Sequence, residues 1–331
     1  MKVLITGGTG FIGSRLAQRI LALGALTGTS GKPEPVEEIL LFDVALPAKP
    51  IPGLDDKRIK IEAGDIADKK TVAGLIDRKD ISVFHLASIV SGQGEQDFDL
   101  AMRVNLDGHL HLLEALRARG SKPRIVFASS GAVFGGPGMP RTVSDSTKQL
   151  PQTTYGMTKA VGEMLINDYT RKGFVDGRSA RLPTVIVRPG KPNAAASSAF
   201  SGVIREPLNG IDFTMPIPAD THHPVACYRT VVEDFVKLHE LDGEAIGPDR
   251  AVGLPSISVT VAQMIASLKR VAGNRHLGTI TFKEDPFIMK IVKGWATASA
   301  AERGLSLGLP VDKNLDDIIK AYIEDYAPAV G

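Results

Sequence analysis

The sequence predicts an α/β fold, a doubly wound parallel sheet followed by a smaller C-terminal region. Three observations carry this. Short β-rich runs alternate with helical patterns through the first 190 residues, and strand–helix–strand succession calls for a parallel sheet covered on both faces. A glycine cluster sits between the first strand and the first helix, at "MKVLITGGTGFIGSRL". Near Arg188 the texture changes to Pro, Ala and Ser, with shorter mixed elements.

Strands are expected at Lys2–Thr6, Glu38–Asp43, Arg58–Glu62, Ser82–Leu86, Arg124–Ser129 and Arg181–Val187. Helices are expected around Phe11–Ala25, Lys69–Arg78, Phe98–Arg119 and Tyr155–Lys172, where apolar residues recur at helical spacing. The segment "TGTSGKPEPVEE" reads as an inserted loop before the second strand. A first domain is therefore expected over 1–189, with the chain returning to it about 224–254. Residues 190–223 and 255–331 would form a second, substrate-binding region.

Composition narrows the function classes. A chain of 331 residues can bury a large core. With 39 basic and 37 acidic residues it carries no basic field, and aromatics are few, so nucleic-acid binding is not expected. Cys227 is the only cysteine, which rules out an intrachain disulfide and a thiolate zinc cluster. The apolar run before the glycines is short for a signal peptide, and no uncharged stretch approaches the roughly 20 residues of a membrane span. A cytoplasmic protein without membrane contact is expected.

Gly7, Gly10 and Gly13 form G-x-x-G-x-x-G between a strand and a helix. The first glycine can make the tight turn, the second lets backbone approach a diphosphate, and the third allows close helix packing. Backbone N–H groups at the helix start, around Phe11 and Ile12, then face the negative charge. The pattern points to a Rossmann-type dinucleotide site. Asp43 ends the second strand, where a carboxylate can accept hydrogen bonds from both ribose hydroxyls and repel a 2′-phosphate, so NAD is expected rather than NADP. A turn or helix-cap aspartate is the plainer reading of Asp43. Asp65 and Ile66, after the third strand, can flank the adenine edge; Asp65 can equally cap the next helix. Leu86, Ala87 and Ser88 end the fourth strand, where backbone would pass beneath the cofactor.

Ser130 ends a predicted strand, and Tyr155 and Lys159 lie four apart on one face of a helix. Ligands of parallel sheets sit at the strands' carboxyl ends. An ammonium beside a phenol lowers the phenol's pKa from about 10, so the phenolate can take a proton from an alcohol while hydride leaves the adjacent carbon. Ser130 can hold the same oxygen. Taken alone, Tyr-x-x-x-Lys is a common surface pair; its company gives it meaning.

The glycine motif, Asp43, "AGDI", "HLAS", Asn105, "SSGAVFG", Tyr155-x-x-x-Lys159 and "VIVRPG" follow one another in an order that resembles the extended short-chain dehydrogenase/reductases, the NAD-dependent epimerase/dehydratase family. The resemblance covers the whole first domain. It implies Ser130, Tyr155 and Lys159 as the catalytic triad, with Lys159 also holding the nicotinamide ribose. It implies that Pro189 lines the cofactor and that Asn105 shapes the active site, although an ordinary buried amide would look the same in sequence. Pairing of two subunits through helices 99–118 and 155–172, a homodimer, is a further implication. The chain departs from the family at Ser88 in "HLAS", where alanine is usual, and at Phe134, where tyrosine is common.

The segments "RPGKPNAAASSAFSGVIREPLNG", "THHPVACYRTVVEDF" and "DPFIMKIVKGW" resemble a branch of this family that oxidises the C2 hydroxyl of a four-carbon sugar acid to the 2-oxo acid. A sugar acid needs a cation for its carboxylate and short polar groups for its hydroxyls. Arg229 is the candidate fork, against a structural ion pair. Asn193, Ser197 and Ser198 are candidate hydroxyl partners together with Ser88, Ser130 and Tyr155; the two serines are equally good helix caps. Arg188 is read as structural. His222 and His223, adjacent and without nearby carboxylates, give no metal site. Cys227 and Trp295 read as packing residues. A nucleotide-sugar epimerase or dehydratase is the alternative, and a non-catalytic dinucleotide sensor a more distant one. The segment after "VRPG" lacks a basic cluster for a diphosphate, and a sensor would have no need of the Tyr/Lys pair.

Overall fold

The computed structural model describes residues 1–190 and 197–327. A seven-stranded parallel sheet organises the first part of the chain. In chain order its elements are β1 (Lys2–Thr6), α1 (Phe11–Leu23), β2 (Glu38–Asp43), β3 (Ile59–Ala63), α2 (Lys69–Leu75), β4 (Ile81–His85), a long helix α3 over 98–119, β5 (Arg124–Ser130), α4 (Thr154–Arg171), β6 (Asp176–Leu182), α5 (Tyr228–Glu240) and β7 (Ala251–Gly253). The strand order is β7-β6-β5-β4-β1-β2-β3. It reverses between β1 and β4, and both neighbours run parallel to β1. Such a switch point opens a crevice at the strands' carboxyl ends, where the glycine turn after β1 lies.

β1, β4 and the start of β5 are buried over their whole length, so these runs are nearly continuously apolar rather than alternating. Leu4, Leu40, Val83, Ile125 and Phe127 of the sheet pack with Leu112, Leu113 and Leu116 of α3 and Ile166 of α4 in one core. α3 is interrupted by a π turn at Met102–Asp107, which includes Asn105.

The sixth strand departs from expectation. β6 occupies Asp176–Leu182, ahead of the predicted Arg181–Val187, and Thr184–Ile186 belongs to a separate three-stranded sheet with His222–Cys227 and Ile257–Thr260. β6 reads as polar ("DGRSARL") because its arginines are buried with partners. Arg178 donates to the carbonyls of Leu238 (3.0 Å) and Leu241 (2.7 Å), and Arg181 to Glu163. The expected insertion is a hairpin, with Ala25–Thr27 antiparallel to Pro33–Pro35. Thr27 anchors it by donating from both its amide and its hydroxyl to the Glu240 carboxylate.

The chain divides into two compact units. One comprises 1–133, 153–181 and 232–252; the other comprises 134–152, 182–231 and 253–331. This division differs from the expected 1–189 and 224–254: residues 134–152, 182–189, 224–231 and 253–254 fall in the second unit, where Thr142–Val143 pairs with Ala298–Ser299 and Thr184–Ile186 with Val225–Cys227. Among the described residues, no helix is long and apolar enough to cross a membrane.

Candidate active site

The glycine turn is built by close approach. Gly7 has φ +67°, and a Cβ there would stand 2.9 Å from the Ala87 nitrogen. A Cβ on Gly13 would meet the Gly7 carbonyl oxygen at 2.3 Å, so the third glycine lets the helix press on the turn itself. At Gly10 a Cβ would meet only the Gly7 oxygen, at 3.1 Å. Gly10 is also the N-cap of α1, which has no side-chain capping bond. An uncapped helix start with a bare backbone cradle fits the diphosphate of a dinucleotide.

Neighbouring strand ends complete the cradle. The Asp43 carboxylate accepts from the Thr9 hydroxyl (2.7 Å) and the Thr9 amide (3.2 Å), which ties the end of β2 to the glycine turn. The Thr6 hydroxyl lies 2.7 Å from His85 Nδ1 and accepts from the Ala87 amide (3.2 Å), and the Leu86 amide donates to the Thr6 carbonyl. The backbone of Leu86 to Ser88 is thereby held beside Gly7. Asp65 accepts from the Ala67 amide and pairs with Arg103, while the cap of α2 is Asp68.

Lys159, one turn after Tyr155 on α4, is buried and donates from Nζ to the Ala128 carbonyl (2.7 Å). Its ammonium lies 4.8 Å from the centre of the Phe127 ring and 5.5 Å from that of Tyr155. Burial pushes Lys159 down to about 7, and the Glu163 carboxylate opposes that shift. Ser130 ends β5, and its hydroxyl accepts from the Ala132 amide (3.2 Å). Thr153 caps α4 by accepting from the Gly156 amide (3.0 Å), which fixes where the helix bearing Tyr155 begins.

Asn105 is a tie between elements. Its amide exchanges bonds with the backbone of Ile89 (2.7 and 3.1 Å) and reaches the Thr158 hydroxyl at 3.3 Å, between Met157 and Lys159. The Ser88 hydroxyl donates to the Asn105 oxygen at 3.2 Å, which gives the departure at "HLAS" a local partner.

The remaining candidates separate. Ser130, Tyr155, Lys159 and Asn105 all lie in the first unit. Arg229 lies in the second, and its guanidinium is engaged by Asp325 (2.7 Å) and Glu324 (2.8 Å) of the C-terminal helix. That is the ion-pair alternative to a free substrate fork. Ser197 stands at the N-cap of helix Ser198–Leu208 without a side-chain capping bond, and Ser198 is buried. Pro189 is partly exposed, and the carbonyl of Arg188 before it accepts from Arg205 (2.8 Å). Asn193 lies outside the described residues. His223 is buried, 2.6 Å from the Thr184 hydroxyl and stacked on Phe200, and no metal-binding group of side chains occurs among the described residues.

Sequence reasoning missed the polar groups beneath this site. Glu163, four residues beyond Lys159, is buried against Arg181 and Ser129. The repeated four-residue spacing from Tyr155 through Lys159 to Glu163 was the available signal.

The chain belongs to the NAD dependent epimerase/dehydratase family, whose pattern matches residues 3–219, and it is thus an NAD-dependent enzyme with a Rossmann-type fold. It is 48% identical over 325 residues to the D-erythronate dehydrogenase of Cupriavidus necator, covering 98% of both chains. To the D-erythronate dehydrogenase of Haemophilus influenzae it is 40% identical, over 98% of this chain and 99% of that one. Among solved structures, the nucleoside-diphosphate-sugar epimerase of Agrobacterium tumefaciens superposes with a TM-score of 0.90 at 38% identity, covering 98% of this chain and 94% of the other.

Proposed function

We propose that this enzyme oxidises the C2 hydroxyl of D-erythronate to give 2-oxo-tetronate. Bound NAD supplies the hydride acceptor. Tyr155 takes the hydroxyl proton as general base, the Lys159 ammonium favours its phenolate, and Ser130 holds the reacting oxygen by a hydrogen bond. Asn105 keeps the loop after β4 and helix α4 in register. The observation that carries the reading is the buried Lys159 ammonium, 5.5 Å from the Tyr155 ring centre and bonded to the Ala128 carbonyl of the strand that ends at Ser130. The substrate comes from the two D-erythronate dehydrogenases to which the chain is similar over nearly its full length.

The glycine turn would hold the diphosphate, Asp43 the adenosine ribose hydroxyls, and Lys159 the nicotinamide ribose. Asp43 would turn its carboxylate from Thr9 toward the ribose or accept from both. Ser88 would line the substrate side of the same loop. Two subunits would pair through α3 and α4, where Leu110 and Met164 are exposed.

A second reading follows from the Agrobacterium tumefaciens structure, whose name is that of a nucleoside-diphosphate-sugar epimerase. One assay separates the two. Purified enzyme with NAD and D-erythronate should give reduced nicotinamide absorbance, and nucleotide sugars should not be turned over. Epimerisation of a nucleotide sugar without erythronate oxidation would replace the first reading by the second.

A further inference from the structure

Below the Tyr155–Lys159 pair lies a buried ionic knot. Glu163 sits one turn beyond Lys159 on α4 and is 2% exposed. Arg181 of β6 grips its carboxylate with both arms, Nε at 2.9 Å and Nη2 at 2.8 Å, and is itself 8% exposed. The Ser129 hydroxyl, on the residue before Ser130, donates to the same carboxylate. One side chain thus joins the strand that carries Ser130, the helix that carries Tyr155 and Lys159, and β6.

A buried pair of this kind is no guarantee of stability, since the cost of dehydrating both charges commonly matches their attraction. Its location beside a buried lysine suggests another use. Several elements face the Lys159 ammonium. From β4 and α3 come His85 and His109, stacked at 5.1 Å, both pushed well below the ordinary histidine range by burial and so uncharged. From β5 comes the Phe127 ring, from α4 the Tyr155 ring and Glu163, and beyond Glu163 lies Arg181. Glu163 stands one helical turn from Lys159, so its negative charge favours the ammonium that burial disfavours. Resting on the Tyr155–Lys159 reading above, we propose that Glu163 is a positioning residue of the active site: its carboxylate locks the end of β5 to α4 and supplies the negative charge that keeps the Lys159 ammonium in place beside Tyr155.

The test reads Lys159 directly, without substrate. In protein labelled with 13C at lysine Cε, the Lys159 resonance is identified by its loss in Lys159→Met, and its titration midpoint is followed by NMR. In Glu163→Gln the midpoint should fall by about one unit, as expected for losing an opposite charge close by. Because Arg181 is then left buried and unpaired, the variant Glu163→Gln/Arg181→Met removes both charges and should fold while keeping the lowered midpoint. Glu163→Asp, which preserves charge, should return it toward wild type. A folded double variant with the wild-type midpoint would overturn the proposal and leave Glu163 as the partner of Arg181 alone. The pH profile of kcat should follow, with the fall on the alkaline side moving to lower pH in both Gln variants. A shifted midpoint in protein that never reduces NAD would count against the dehydrogenase reading and leave the role of Glu163 standing.

Discussion

The Asp43 carboxylate accepts from both the hydroxyl and the amide of Thr9, at 2.7 and 3.2 Å, so the acid at the end of β2 and the turn after β1 form one unit. Asp43→Ala should weaken NAD binding about 10- to 100-fold, the worth of a lost charge-assisted hydrogen bond, and should narrow the preference for NAD over NADP. Titration with both dinucleotides measures this; an unchanged preference would remove Asp43 from the ribose.

Tyr155→Phe should lower kcat about 10²- to 10⁴-fold, the usual contribution of a general base, with NAD affinity nearly intact. The measurement is steady-state turnover beside a binding titration. An equal loss in both would assign Tyr155 to binding or folding.

Gly13→Ala would drive a methyl to 2.3 Å from the Gly7 carbonyl oxygen, which backbone must move to accommodate. A destabilisation of about 1–3 kcal/mol is expected, in the range of overpacked sites, together with weaker NAD binding. Gly24→Ala, where a Cβ meets nothing within 4 Å but φ is +73°, is the control for strain alone. Its dinucleotide affinity should stay at the wild-type level.

His109 is buried against Phe127 and His85, and burial pushes it down to about 3 from an ordinary 6.5. The folded state keeps it neutral while the unfolded chain takes up a proton as pH falls below 6.5. Its contribution is therefore fully present above pH 6.5 and declines toward pH 3, by as much as about 1.4 kcal/mol per pH unit. Urea denaturation of His109→Phe should show a shallower loss of stability than wild type over that window; parallel curves would contradict the neutral histidine.

Arg229 is 44% exposed and held by Glu324 and Asp325. Arg229→Ala should cost at most about 1 kcal/mol, as exposed pairs do, and, on the D-erythronate reading proposed above, should leave KM unchanged. A large rise in KM would restore the arginine to the substrate.

The sheet was legible where burial makes strands apolar. β1 and β2 fall on their expected residues, and the glycine turn followed from spacing alone. β6 was not legible, because Arg178, Ser179 and Arg181 look like a solvent-facing run and are in fact buried among carbonyls and a carboxylate. The same blindness hid Glu163, since sequence reports a charge but not its partner. Ser130, Tyr155, Lys159 and Asn105 could be named from their order; that the Asn105 amide is spent on Ile89 and Thr158 required coordinates. Arg229 illustrates the converse: sequence leaves a substrate fork and a structural ion pair equally open, and only coordinates show Glu324 and Asp325 at its guanidinium.

The single thiol of this protein is buried, and that burial pushes Cys227 up to about 11, so it offers almost no thiolate to reagents near neutral pH. Spectroscopy gains from that. One cysteine introduced at the exposed tip of the 25–35 hairpin, for instance Ser30→Cys, would be the sole reactive position in an otherwise native chain. A dye or spin label could then be attached stoichiometrically without first stripping out a natural cysteine.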